Sequence, residues 1–270
     1  MDIIAHRGAS HDAPENTLAA FKLGWQQRAD AVELDIWLTK DGKLVVCHDA
    51  DTKRTTGTAA KIPESTLADL RALDAGAWKA PQWKGELLPT LDEALALIPD
   101  GKRLVIEIKC GVEVLPELER VIKAAGKPAA QLVIISFSHP VCAAAKKLFP
   151  QIPVLYLASF KQDKATGAWS PTPDSLIAKA KAAQLDGLNL AWQGHSTPRL
   201  CSRPTLPASS STSGPWTTPR PRVGSSPPAW TASPPTDQSG SARSCAESFR
   251  ACAVTCPRIV FAARDHHPAS

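Results

Sequence analysis

The feature that most constrains this chain is a regular exchange of short apolar runs with amphipathic helical stretches over residues 1–194. In order come DIIA, helical TLAAFKLGWQQ, AVELDIWL, LVVCHD, helical LDEALALI, RLVIEIK, helical LPELERVIKAAG, LVIISF, helical PVCAAAKKLF, PVLYLA, helical DSLIAKAKAA and DGLNLA. The strand candidates hardly alternate between apolar and polar residues, as expected of strands covered by helices on both faces. This order predicts an α/β fold with a parallel sheet or barrel.

One connection breaks the parallel rule. WLTKDGKLV is far too short for a crossover, and Asp41-Gly42 is a strong two-residue hairpin signal, so residues 43–48 are expected to return antiparallel. A loop of Asp41 and Gly42 makes Lys40 face Lys43. It sets His48 opposite Asp35, with Glu33 two residues along on the same face. Leaving the return strand aside, six barrel-type strands are counted by Leu190, two short of a closed (β/α)8 barrel.

Charged residues sit at the ends of these apolar runs. VIEIKC puts Glu107 and Lys109 on one face of an otherwise apolar strand, where charges are costly unless they meet each other or a ligand. IIAHRG carries His6 and Arg7 to the end of the first strand, with Gly8 allowing a tight departure or a close backbone approach. Each motif alone has a structural explanation, but three such strand ends together fit a barrel active site, assembled from the C-terminal ends of several strands. Asn16, ahead of TLAAF, is read as a helix N-cap, while Glu15 is placed to reach and orient Arg7. Cys47 and Cys110 are expected on the faces opposite their neighbouring site residues, in buried packing.

Composition changes abruptly near His195. Residues 1–194 carry 23 Lys and Arg against 23 Asp and Glu, whereas 195–270 carry 8 against 3, no Lys, and half of the chain's 24 prolines. The formal charge of +5 therefore lies entirely in the tail, which removes the argument for nucleic-acid binding by the body. The body is read as one domain over 1–194 and the tail, 195–270, as a low-complexity Pro/Ser/Arg-rich segment. Re-read one base out of frame, with permitted third bases, Ser211 to Gln238 can encode a strand, a helix and a second strand. The tail is accordingly read as a frame-shifted version of the missing last quarter of a barrel. No signal peptide or span of transmembrane length is seen, and the three body cysteines show no disulfide framework, so a reduced, cytoplasmic protein without membrane insertion is expected.

The motifs HRGASHDAPENTLAAF, VELDIWLTKDGKLVVCHD and VIEIK, followed by IISFS and GLNL, resemble in type, order and separation the glycerophosphodiester phosphodiesterase family, over about residues 1–192. The resemblance implies a (β/α)8 TIM-barrel with a small insertion, here about residues 51–88, after the second-strand hairpin. It also implies hydrolysis of glycerophosphodiesters to glycerol 3-phosphate and an alcohol with a divalent cation. Carried over residue by residue, it assigns Glu33, Asp35 and Glu107 to the metal, His6 and His48 to acid and base catalysis, and Arg7 and Lys109 to the substrate phosphate. Three carboxylates are hard oxygen ligands suited to Mg²⁺ or Ca²⁺. The family further implies that the substrate's own glycerol hydroxyl attacks first, giving a cyclic phosphate that water opens. The alternative is a non-catalytic or poorly folded family member whose barrel is not completed. A related lipid phosphodiesterase of the phospholipase C type finds no membrane-binding element here.

Overall fold

The computed structural model of the chain describes residues 2–191. The segment 195–270, and with it the out-of-frame reading, lies outside the described residues. In chain order the elements are β1 (Ile4–Ala5), α1 (Leu18–Gln26), β2 (Ala31–Leu38), β3 (Leu44–Val46), α2 (Lys53–Thr56), α3 (Leu67–Arg71), α4 (Leu91–Ala96) and β4 (Arg103–Ile108). They continue with α5 (Leu115–Ala125), β5 (Leu132–Ser136), α6 (His139–Leu148), β6 (Val154–Ser159), β7 (Lys161–Gln162), β8 (Trp169–Ser170), α7 (Pro173–Ala182) and β9 (Gly187–Ala191). Strands β1, β2, β4, β5, β6 and β9 pair in that order, all parallel, and β3 alone adds antiparallel to β2. These are the six barrel-type strands and the one return strand that the sequence pattern predicts.

The structure corrects the cause expected for the absence of alternation in the strands: helices cover one face of the sheet only, and the other face is apolar because side chains of neighbouring strands pack there against one another. On one face Val32, Leu34, Ile36, Leu104, Ile106, Ile108, Leu132, Ile134 and Val154 pack against the helices, which contribute Phe21, Leu95, Leu118, Val121 and Val141. On the other, Ile4, Ala31, Val105, Val133, Ile135, Leu155 and Leu157 pack against one another across five strands. Each fully buried aliphatic side chain contributes about 1.5–3 kcal/mol, so this double layer is stiff enough to hold charged groups placed just above it.

The hairpin register corrects the sequence reading. Ile36, Trp37 and Leu38 face Val46, Val45 and Leu44, and the Cys47 amide donates to the Asp35 carbonyl at 3.0 Å. His48 is therefore not opposite Asp35; Cys47 is. The loop has three residues, not two, because Gly42 takes a left-handed φ of +70° and its amide returns to the Thr39 carbonyl at 3.0 Å. A glycine in that conformation after a turn makes a three-residue hairpin loop and slips the register by one. The slip also corrects Cys47, which lies on the Asp35 face among Val45, Ile62 and Leu70 rather than opposite it. Cys110 packs on the helix side, as expected.

Residues 51–88 hold α2, α3 and two 3-10 turns, Ile62–Glu64 and Pro81–Trp83. Ile62, Leu70, Ala75 and Leu88 form a small core with Val45 and Cys47 of the hairpin. The insertion is thus packed onto the hairpin that follows the carboxylate-bearing strand. A Thr66/Asp69 capping box starts α3, and a Thr90/Glu93 capping box starts α4 just after the insertion.

Candidate active site

Strand parity builds the site. Glu33 and Asp35 continue the face that begins at Ala31, and the β2–β4 register sets Asp35 directly beside Glu107. All three carboxylates are buried, and each offers an oxygen within 4.8 Å of the others. At that separation two like charges repel by about 3.5 kcal/mol in an effective dielectric near 20. Lys109 stands above them, its Nζ 2.9 Å from Glu107 Oε1 and 3.5 Å from Asp35 Oδ1.

The first strand delivers the other cation. The turn after β1 places Arg7 at φ +58° and Gly8 at φ +77°, and a Cβ on Gly8 would stand 2.6 Å from the backbone of Ala20 in α1. Here the close approach anticipated for Gly8 is required. The turn aims the Arg7 amide at Glu33 Oε2, 2.9 Å away, and brings the guanidinium Nε within 3.5 Å of Asp35 Oδ2. His6 Nε2 lies 3.9 Å from Glu33 Oε2. Glu15 accepts from Arg7 Nη1 at 3.0 Å, the orienting contact that the sequence reading anticipates.

Three further residues complete the arrangement. The N-cap of α1 is Thr17, whose hydroxyl accepts from the Ala20 amide, and not Asn16. Asn16 instead takes φ +57°, is 3% exposed, and clamps Asp35 twice. Its Nδ2 donates to Asp35 Oδ2 at 2.8 Å, and its Oδ1 accepts from the Asp35 amide at 3.3 Å. The clue was in its residue type, since asparagine tolerates the left-handed region better than most. Asp49 holds His48, with Nδ1 2.8 Å from Oδ1. Arg54, on α2, donates to Asp49 Oδ2 at 2.6 Å and to both oxygens of Glu15 at 2.8 Å. Asp49 is only five residues from Arg54, but the link to Glu15 spans 39 residues and is not visible in the sequence. All eight residues expected at the site therefore belong to one connected network, with His48 joined to it through Asp49, Arg54 and Glu15.

The charge balance decides what the trio can hold. Burial first, then the charges of Asp35 and Glu107, push the Glu33 carboxyl well above its ordinary range. Burial and Asp35 likewise raise Glu107, more than Lys109 lowers it. Burial disfavours the Lys109 ammonium, but Asp35 and Glu107 outweigh it and raise its pKa. Two cations thus stand against three buried carboxylates: Glu33 Oε1 is buried with no hydrogen-bond donor, and the buried Asp35 Oδ1 has only the long 3.5 Å contact with Lys109. Such oxygens fit a hard divalent cation in their donor chemistry and in their spare valence. Near Asp35, burial pushes the Cys47 thiol up to about 12, so it stays protonated and offers no thiolate.

Comparison with known proteins agrees with this geometry. The profile of the Glycerophosphoryl diester phosphodiesterase family matches residues 6–193. The chain belongs to this family. It is 42% identical over 156 residues to a glycerophosphodiester phosphodiesterase of Caldanaerobacter subterraneus subsp. tengcongensis, a match covering 56% of this chain and 64% of that one. With a Bacillus subtilis glycerophosphodiester phosphodiesterase it shares 36% identity over 177 residues, covering 59% and 60%. The chain thus spans somewhat less than two thirds of the length of these curated relatives. Among solved structures, an Oleispira antarctica phosphodiesterase in complex with the product sn-glycerol-3-phosphate superposes with a TM-score of 0.63 and 33% identity, over 70% of this chain and 74% of that one. The six parallel strands are accordingly those of a half-barrel of the family's TIM-barrel type. No helix among the described residues is long and apolar enough to cross a membrane.

Proposed function

We propose that the chain hydrolyses glycerophosphodiesters to glycerol 3-phosphate and an alcohol, with Glu33, Asp35 and Glu107 holding a divalent cation, Mg²⁺ or Ca²⁺. The observation that carries this reading is the buried carboxylate trio, with Glu33 Oε1 undonated and more carboxylates than cations, set at neighbouring strand ends of a family member. When bound, the cation supplies charge that polarises a phosphoryl oxygen. Arg7 and Lys109, which now pair with the trio's carboxylates, then have the donors turned toward it released to bind the phosphate and to stabilise charge growing on it.

His6 and His48 divide the proton transfers. Hydrogen bonding to the ionised Asp49 makes Nδ1 of His48 the N–H donor, which leaves Nε2 to exchange protons with substrate. The carboxyl of Asp49 is suited to this, because bonds from His48 and Arg54 outweigh its burial and hold it below its ordinary range. One histidine removes the proton of the substrate's free glycerol hydroxyl as it attacks phosphorus; the other protonates the departing alcohol oxygen. Water then opens the cyclic phosphate with the two roles exchanged. Attack by a neighbouring hydroxyl gains from proximity before any residue acts.

The test is release of glycerol 3-phosphate from glycerophosphocholine and glycerophosphoethanolamine, in parent, His6→Ala and His48→Ala. Each histidine variant is expected to lose about 10²- to 10⁴-fold in turnover while cation binding, followed by calorimetry, stays unchanged. No release from either substrate overturns the reading, and a variant within a few-fold of the parent removes that histidine from it.

A further inference from the structure

We infer that Arg54 is a positioning residue that holds His48 and Arg7 in place at once, through Asp49 and Glu15, and so ties the insertion to both sides of the site. The inference rests on the proposed roles of His48 and Arg7 but concerns a residue outside the family motifs from which those roles were carried over.

The geometry uses the whole guanidinium. Nη1 and Nη2 donate to Glu15 Oε2 and Oε1, both at 2.8 Å, and Nε donates to Asp49 Oδ2 at 2.6 Å. Each carboxylate in turn spends a contact on a site residue: Glu15 Oε1 on Arg7 Nη1 at 3.0 Å, and Asp49 Oδ1 on His48 Nδ1 at 2.8 Å. A planar fork matched to one carboxylate, with a third donor on another, fixes direction as well as charge, which a lysine ammonium cannot do. An ordinary surface ion pair would leave both partners in water. Here the Glu15 side chain is only 12% exposed, and contacts with Arg54 and Arg7 outweigh its burial and hold its carboxyl below the ordinary range. The backbone carrying Arg54 is itself anchored, because Thr52 and Thr55 are buried and Thr52 Oγ1 donates to the Thr58 carbonyl at 2.7 Å. Arg54 can therefore be replaced without removing what seats its helix.

The experiment compares the full chain with Arg54→Ala and Arg54→Lys. Nitrogen-15 labelling of the histidine rings follows the His48 Nδ1–H proton, assigned by its loss in His48→Ala. In the parent it is expected downfield and slow to exchange; in Arg54→Ala it should exchange with water at the rate of a free imidazole. In turnover, Arg54→Ala is expected to lower kcat by about 10- to 100-fold with KM changed by less than about threefold, as displaced catalytic groups do. Added guanidinium should restore part of the loss, while Arg54→Lys should restore little. An unchanged His48 signal, a kcat within about twofold of the parent, or full recovery with lysine overturns the inference. If the parent releases no glycerol 3-phosphate, the proposed function fails while the His48 signal still decides the role of Arg54.

Discussion

Asn16 holds its amide against Asp35 from a left-handed backbone, so conformation and chemistry can be separated at this one position. Asn16→Gly keeps φ +57° accessible but removes the clamp, whereas Asn16→Ala removes the clamp and adds backbone strain of about 1 kcal/mol. Both are expected to weaken Mg²⁺ or Ca²⁺ binding about 10- to 100-fold, since outer partners orient metal ligands. Both should unfold at lower urea than the parent, the alanine variant at the lowest, because each strips buried hydrogen bonds from Asp35. Calorimetric titration checks the affinity, and unchanged binding in both variants contradicts the clamp. A second expectation concerns pH. The folded-state pKa values of Glu33 and Glu107 lie above their ordinary 4.5, so without cation the folded chain keeps protons that the unfolded chain has shed. Stability from these groups is full below that value and declines as pH rises toward the folded ones. A bound cation displaces the protons, so the Tm gain from Mg²⁺ or Ca²⁺ should be larger near pH 8 than near pH 5. An equal gain contradicts the assignment. The carboxylates and cations were legible in sequence because charge in an apolar strand is conspicuous. Asn16 was misread because its local role as a cap and its tertiary role look alike in one dimension, and Arg54 was not picked out because the partner that ties it to the site, Glu15, is 39 residues away.

Among the elements, the joint between β1 and α1 is where local conformation is most constrained. Gly8 has φ +77° and no room for a Cβ against the Ala20 backbone, while Gly42 has φ +70° but open space around it. Gly8→Ala should therefore cost about 2–3 kcal/mol, combining strain with a displaced helix, and Gly42→Ala only about 1 kcal/mol. Urea unfolding of the two variants distinguishes them, and equal costs contradict the close packing of α1 on the turn. The order of strands and helices was readable because apolar runs of strand length alternate with helices having one buried face, as in α5, where Leu115, Leu118, Val121 and Ile122 point inward. The hairpin register was not readable to the residue. Asp41-Gly42 marks a turn, but whether its glycine closes a two- or a three-residue loop depends on the bond that Gly42 makes to Thr39. The short β7–β8 hairpin, built from exposed or half-exposed residues, left no periodic signal at all.

At the scale of the molecule, six parallel strands end at β1 and β9, which among the described residues pair on one side only. The out-of-frame reading of residues 195–270 predicts that restoring the frame near codon 195 adds the last two strands. The frame-restored chain should then be more soluble and more active than the 270-residue chain, because unpaired parallel edges promote association. Sequencing the gene and comparing the two proteins by light scattering and turnover checks this; an uninterrupted frame with equal behaviour contradicts it. The central claim, that a cation held by Glu33, Asp35 and Glu107 is required for phosphodiester hydrolysis, is tested most directly by one assay. Glycerol 3-phosphate released from glycerophosphocholine is measured for the frame-restored chain and its Glu107→Ala variant, with saturating Mg²⁺ or Ca²⁺ and again after chelation. The account predicts product from the parent only with cation, and at least 10²-fold less from Glu107→Ala. Product formed at the same rate in chelator, or by Glu107→Ala, would contradict it.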